Sequence, residues 1–211
     1  NGCTNVQTIA VEFYAQDPDI LGNITRPDCE TPVEDVTVTL TGDASLDDLT
    51  DASGDYEFLD LDCGGSYTVT PTRDGDDSVG VTVLDMLTVR RAILGIDFIT
   101  IHQTVKADVN NSANDDYSSP LNGVTTFDET LIKNVILGIQ PFPIPSWRFI
   151  TTDHVFMGGN PIATDSTINP LLNTTSVDFY GYKTGDVSDY CGPNEPASVK
   201  FIAEDKTISE C

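Results

Sequence analysis

Between Asp74 and Asp85 an oxygen-bearing group recurs at nearly every second residue: Asp74, Asp76, Ser78, the carbonyl of Gly80, Thr82 and Asp85. A hard divalent cation such as Ca²⁺ takes six to eight oxygens at short range. A twelve-residue loop feeding a helix delivers them from positions 1, 3, 5, 7, 9 and 12. With Asp85 at position 12, those six groups fall in register, and Val81 at position 8 supplies the apolar residue that ties paired loops together. A second set surrounds Asp128. Counting back from Asp128 at position 12 gives Thr125 at 9 and Gly123 at 7; counting forward from Asp108 at position 1 gives Asn110 at 3 and Ser112 at 5. Nine residues, Ala113 to Leu121, stand between the two halves. Closure entropy grows only logarithmically, so such an excursion is tolerated. The expectation is two bound Ca²⁺ ions. The competing reading makes Asp85 and Asp128 helix caps and the upstream acids solvated; duplication of the whole pattern favours metal.

These groups need helices behind them. "GVTVLDMLTVRRAILGI" (80–96) and "GVTTFDETLIKNVILGI" (123–139) form an internal repeat 43 residues apart, identical at eight of seventeen positions. In each copy an Asp sits at the helix start, where the positive end of the dipole favours it. Apolar residues follow on one face, Val89 and Ile93 in the first and Ile132 and Ile136 in the second. Gly95 and Gly138 read as C-terminal caps. Helices this short do not stand alone, so they are expected to pack as a pseudo-symmetric pair.

Upstream the period changes from helix to strand. Val36, Val38 and Leu40 alternate with threonines, "YEFLDL" follows the turn signal "DASGD", and Tyr67 and Val69 alternate with Thr68 and Thr70. Short strands at this spacing predict a small antiparallel β-sandwich over 20–73. The Pro-, Asn- and Thr-rich stretch 140–190 reads as a loop-dominated wrap, and "GDVSDY" (185–190) as a turn that resembles the first half of another loop. A leading segment, 1–19, echoes a trailing one, 191–211: "CTNVQTIAVEFYAQD" against "CGPNEPASVKFIAED". Both read as strands, and the trailing one as the opening of a next module. The fold class expected is therefore mixed and mainly β.

Composition narrows the partners. With 34 acidic against 10 basic residues and a net charge of −24, a nucleic-acid partner is not expected, since phosphate binding needs a basic face. No eighteen-residue apolar stretch is present, so no membrane insertion is expected. No signal peptide is visible at Asn1, so the chain reads as mature or as an excised segment. The five cysteines, Cys3, Cys29, Cys63, Cys191 and Cys211, include no CxxC pair, which argues for secretion and disulfides rather than zinc. His102 reads as a surface residue between the helices, Trp147 as a core aromatic, and no Ser or Cys nucleophile motif accompanies either histidine. The chain reads as non-catalytic.

Two resemblances follow. "PVEDVTVTLTG" and "TDASGDYEFLDLDCGGSYTVTP" resemble the prealbumin-like sandwich of collagen-adhesin B-type and carboxypeptidase regulatory-like domains. Such domains are mostly stalk modules, some with a Lys–Asn isopeptide bond. No lysine precedes Lys106, so that bond is not expected within 20–73; Cys29 and Cys63 are the candidates to staple it, a cross-link worth about 3–4 kcal/mol. The paired loops over 74–139 resemble type I dockerins, which bind two calcium ions through duplicated loop–helix units and dock onto cohesins partly through positions 10 and 11. Those are Val83-Leu84 and Thr126-Phe127 here, in place of the hydroxyl pairs of cellulosomal dockerins. The combination is similar to large Bacteroidetes surface proteins. There "DST" at 165–167 would be an O-glycosylation signal, with Ser166 the acceptor.

The function expected is a non-catalytic, extracellular, calcium-stabilised structural or adhesive module of a large surface protein or fibre. Its partners would be copies of itself or neighbouring modules, joined by strand addition. The alternative is a dockerin-type anchor that recruits an enzyme through a cohesin. A third class, glycan binding, rests on exposed aromatics.

Overall fold

The computed structural model describes residues 17–27, 30–158 and 161–188. The leading and trailing segments read as strands, with Cys3, Cys191 and Cys211, lie outside them. The chain is mixed α/β and mainly strand, with two sheets and three helices among the described residues.

Five strands come first: β1 (Ile20–Thr25), β2 (Thr37–Gly42), β3 (Leu46–Leu49), β4 (Asp55–Phe58) and β5 (Tyr67–Thr72). Their alternation is that of half-buried strands: Val38 and Leu40 of β2 are fully buried and alternate with the half-buried Thr37 and Thr39 and the exposed Thr41. Three helices follow, α1 (Val83–Ile93), α2 (Ile101–Ala107) and α3 (Thr126–Ile136). The chain then returns to strand as β6 (Trp147–Thr151), β7 (Ser166–Ile168), β8 (Thr175–Ser176) and β9 (Phe179–Lys183).

The late strands join the early ones. One sheet runs β4-β1-β9-β6, with β8 also on β1; the other runs β3-β2-β5-β7. β8 and β9 both lie parallel to β1, with Ile20 opposite Thr175 and Ile24 opposite Phe179. The loop-dominated wrap expected over 140–190 is therefore corrected: four strands from this stretch complete both sheets, and the helices sit in an insertion between β5 and β6. Side-chain alternation in β6 and β9 explains the placement. Phe149 and Phe179 enter the core between the sheets with Ile20, Ile24, Leu40, Tyr67 and Val69. Ile150 and Tyr182, pointing the other way, pack with Val105 of α2 and Tyr117. The helical insertion thus docks on the outer face of one sheet.

α1 and α3 pack on each other through Val89, Ala92, Leu131, Ile132 and Val135, beneath Val81 and Val124. Arg90 Nε donates to Glu129 across the pair at 2.8 Å. Both helices end as the repeat predicts. Gly95 (φ +67°) and Gly138 (φ +64°) take the left-handed conformation. Ile96 N–H returns to Arg91 O at 2.9 Å and Ile139 N–H to Asn134 O at 2.8 Å, closing the same C-terminal motif twice.

Candidate metal centre

The two loops arrive at α1 and α3 in the same way. Thr82 and Thr125 are the N-caps, and each forms a reciprocal capping box with the Asp three residues on. Asp85 Oδ2 accepts from Thr82 N at 2.7 Å and Thr82 Oγ1 at 2.8 Å. Asp128 Oδ2 accepts from Thr125 N at 2.9 Å and Thr125 Oγ1 at 3.0 Å. Both carboxylates are fully buried. The competing cap reading is therefore true of one oxygen in each. The second oxygen separates the two loops.

In the second loop Asp128 Oδ1 is buried and accepts no hydrogen bond. Burial raises Asp128 above the usual carboxylate range and the charge of Asp108 adds to it, while the Thr125 hydrogen bonds pull the other way. Asp108, also fully buried, accepts from Ser112 N at 2.9 Å on Oδ1, and from Ala113 N at 3.0 Å and Tyr117 OH at 3.1 Å on Oδ2. Asn110 Oδ1 accepts from Ser112 N at 2.9 Å. Ser112 Oγ lies 2.6 Å from the Gly123 carbonyl and 3.3 Å from Asp108 Oδ1. One hydroxyl proton cannot serve both acceptors, so oxygens crowd here with too few protons between them. Gly123, at φ +78°, brings its backbone so close that a Cβ would stand 2.7 Å from Asp108 Oδ2. An uncompensated buried carboxylate oxygen is costly. A small hard cation is the partner that carboxylate, hydroxyl and carbonyl oxygens suit. Asp108, Ser112, Gly123 and Asp128 fit such an ion; Asn110 is held against the same turn, and Thr125 spends its hydroxyl on the cap.

The first loop is built differently. Asp74 and Asp76 are exposed where Asp108 is buried. Asp74 Oδ1 accepts from Gly75 N at 2.9 Å and Ser146 Oγ at 3.2 Å. Asp76 Oδ1 accepts from Ser78 N at 2.8 Å and Ser78 Oγ at 2.7 Å, and those bonds lower its pKa. Asp85 Oδ1 accepts from Val187 N at 2.7 Å and Ser188 N at 2.6 Å. Four donors thus fill the four acceptor sites of that carboxylate. Gly80 adopts φ +79°, as its position in a turn requires, and Thr82 is spent on the cap. Among the described residues no three His, Cys, Asp or Glu side chains converge as a metal-holding group. The second loop's set contains only two carboxylates.

The excursion of the second loop is anchored rather than loose. Tyr117 is buried, its hydroxyl reaches Asp108, and its ring lies 5.0 Å from the Arg148 guanidinium. Arg148 also donates to Tyr117 OH at 2.6 Å and to Asp115 Oδ1 at 2.9 Å. Burial raises the Tyr117 phenol well above its ordinary value, so it stays a proton donor to Asp108. Sequence reasoning missed Tyr117; the lone aromatic of the nine-residue excursion was the available signal.

The other singled-out residues lie elsewhere. His102 is not a surface residue between helices: it belongs to α2, hydrogen-bonds Tyr182 OH at 2.8 Å and sits among Phe156, Tyr180 and Tyr182. Trp147 is half-buried on β6, stacked on Phe149, with the Arg26 and Arg73 guanidinium carbons 5.5 and 4.9 Å from its ring. Cys63 is exposed, and its proposed partner Cys29 lies outside the described residues. Ser166, half-buried, opens β7 opposite Val69. No helix among the described residues is long and apolar enough to cross a membrane. Compared with protein-family models, curated proteins and solved structures, the chain gave no match.

Proposed function

We propose that this chain is a non-catalytic, calcium-stabilised structural or adhesive module of a larger extracellular protein, its helical insertion a dockerin-like pair whose second loop holds Ca²⁺. The observation that carries the reading is Asp128 Oδ1, a buried carboxyl oxygen without a hydrogen-bond partner beside the buried Asp108. Calcium there would add folding free energy to the hydrophobic burial that holds the helix pair. Extracellular modules work with affinities of roughly 10⁻⁴–10⁻³ M, which suits a site this poor in carboxylates. The test is calorimetry of the full chain in calcium and in chelator. The reading expects a higher melting temperature in calcium; identical profiles would sink it.

A second reading, anchoring through a cohesin-like partner, is favoured by one feature. Leu84 and Phe127, equivalent in the repeat, are both exposed large apolar side chains beside exposed Val83. Replacing Leu84 and Phe127 by Asp should abolish capture by a cohesin while leaving the melting temperature unchanged. Failure of the unmodified chain to bind any cohesin on a panel would remove this reading.

A further inference from the structure

We infer that the first loop is closed by the chain's own segment Lys183–Ser188 in place of a metal ion, so that the module takes one calcium and not two; this rests on the calcium reading of the second loop. The comparison is internal. Asp85 and Asp128 are equivalent in the repeat, equally buried, and capped by the same two donors of Thr82 and Thr125. They differ in one oxygen. Asp128 Oδ1 has no donor, whereas Asp85 Oδ1 receives the amides of Val187 and Ser188, about a hundred residues further along the chain.

The segment delivers positive charge as well as amides. Lys183, buried, points its ammonium at the first loop, 3.1 Å from Asp76 O and 3.4 Å from Asp77 O. A calcium loop uses its ion to gather backbone carbonyls and a terminal carboxylate. Here an ammonium gathers carbonyls and two amides take the carboxylate. The acids that would have completed an ion's shell, Asp74 and Asp76, are exposed and already engaged, Asp74 with Gly75 N and Ser146 Oγ and Asp76 with Ser78.

The segment is fixed along its length. Gly185 N–H donates to Lys106 O at 2.8 Å, Gln103 Nε2 donates to Val187 O at 3.1 Å, and Val187 is fully buried in the helix core. Arg26, from the end of β1, pairs with Asp186 at 3.2 Å. Gly185 sits at φ +83°, and a Cβ there would stand 2.6 Å from Phe142 Cζ, so only glycine permits the approach. The strap therefore belongs to both bodies: it leaves β9 of the sandwich and ends on α1 of the insertion.

The experiment is calcium titration calorimetry on the full chain, with Asp74→Asn/Asp76→Asn and Asp128→Asn variants, and amide hydrogen exchange at Val187 and Ser188 on the same folded samples. The exposed double variant is expected to keep one ion with affinity within about threefold of the parent, while Asp128→Asn weakens binding by roughly tenfold or more. Both amides are expected to exchange slowly. Two ions in the parent, one of them lost in the double variant, would overturn the strap's role and leave the calcium reading standing. Fast exchange at both amides would overturn it too. No binding in the parent would sink the calcium reading and with it the count of one; slow exchange would then still support closure of the first loop by the strap.

Discussion

Asp128→Asn separates a calcium ligand from a helix cap because the two roles respond oppositely to chelator. The Asn side chain keeps one carbonyl oxygen for the Thr125 N–H, now 2.9 Å from Asp128 Oδ2, so the cap is largely conserved. What is lost is the charge on Oδ1. In calcium at about 100 times the dissociation constant, the ion contributes about 2.7 kcal/mol by mass action. A tenfold loss of affinity removes about 1.3 kcal/mol of that and a hundredfold loss about 2.3 kcal/mol. For a chain of this size, that corresponds to a fall in melting temperature of roughly 3–9 °C. In chelator the sign should reverse or vanish. The buried carboxylate has no donor on Oδ1 and feels Asp108, so neutralising it relieves desolvation and like-charge repulsion. Scanning calorimetry of parent and variant in both conditions reads the difference. Equal destabilisation in calcium and in chelator would refute the reasoning, since a loss that does not depend on the ion belongs to the cap.

Three further outcomes are expected. Asp128→Ala should lower calcium affinity more than deletion of Ala113–Leu121, although the deletion should also lower the melting temperature by removing buried Tyr117; titration calorimetry that finds binding abolished by the deletion and spared by Asp128→Ala would show the register to be wrong. Gly185→Ala should cost about 1–3 kcal/mol, because φ is +83° and Phe142 occupies the Cβ position; a denaturant melt within error of the parent would contradict the strap's packing. Burial holds His154 below its ordinary pKa, so the unfolded chain takes up that proton first. Stability from this group is intact above the ordinary His range and is lost as pH falls through it. At constant calcium the melting temperature should drop between about pH 7.5 and about pH 5.5, and His154→Gln should flatten that drop; an unaltered slope would assign it to other groups.

What the sequence reveals is what is local. The repeat exposes α1 and α3, their glycine stops and the Asp at each helix start, because each is settled within one or two turns of backbone. α2 was legible too, through the Thr100–Gln103 capping box, but seven residues leave too short a period to notice. The strands β6 to β9 are two to five residues long; β7 joins β5 and β8 and β9 join β1 across about a hundred or more residues, and β6 enters the sheet only through β9. Pattern alone cannot assign such pairings, so a polar, Pro-rich stretch reads as a wrap. The contacts of the first loop are hidden from the sequence for a related reason. Its ligand spacing is intact, yet spacing does not say whether a distant lysine and two distant amides arrive first. "GDVSDY" looks like half a loop because its Asp-Val-Ser repeats the Asp108-Val109-Asn110 pattern; its first half-turn closes on Asp85 instead.

The strand order bears on the proposed structural role. β1 and β9 are parallel neighbours, Ile24 against Phe179 and Thr25 against Tyr180, and β8 extends the same pairing to Ile20 and Leu21. Among the described residues the chain begins just before β1 and ends just after β9. In a parallel pair those two points lie at opposite ends, so tension applied through them acts along the strands. It loads the slanted inter-strand hydrogen bonds together in shear, where an antiparallel terminal pair would open one bond at a time. Beyond β9 the same tension meets the strap, whose Lys183, Val187 and Ser188 are bonded to the first loop and to Asp85. The helical insertion lies between β5 and β6 and meets that line of force through the strap and through the packing of α2 on Tyr182 of β9. A calcium ion in the second loop would then set the firmness of the body on which the strap is anchored. A load-bearing unit of a larger extracellular protein needs that coupling, and a freely hinged anchoring domain does not.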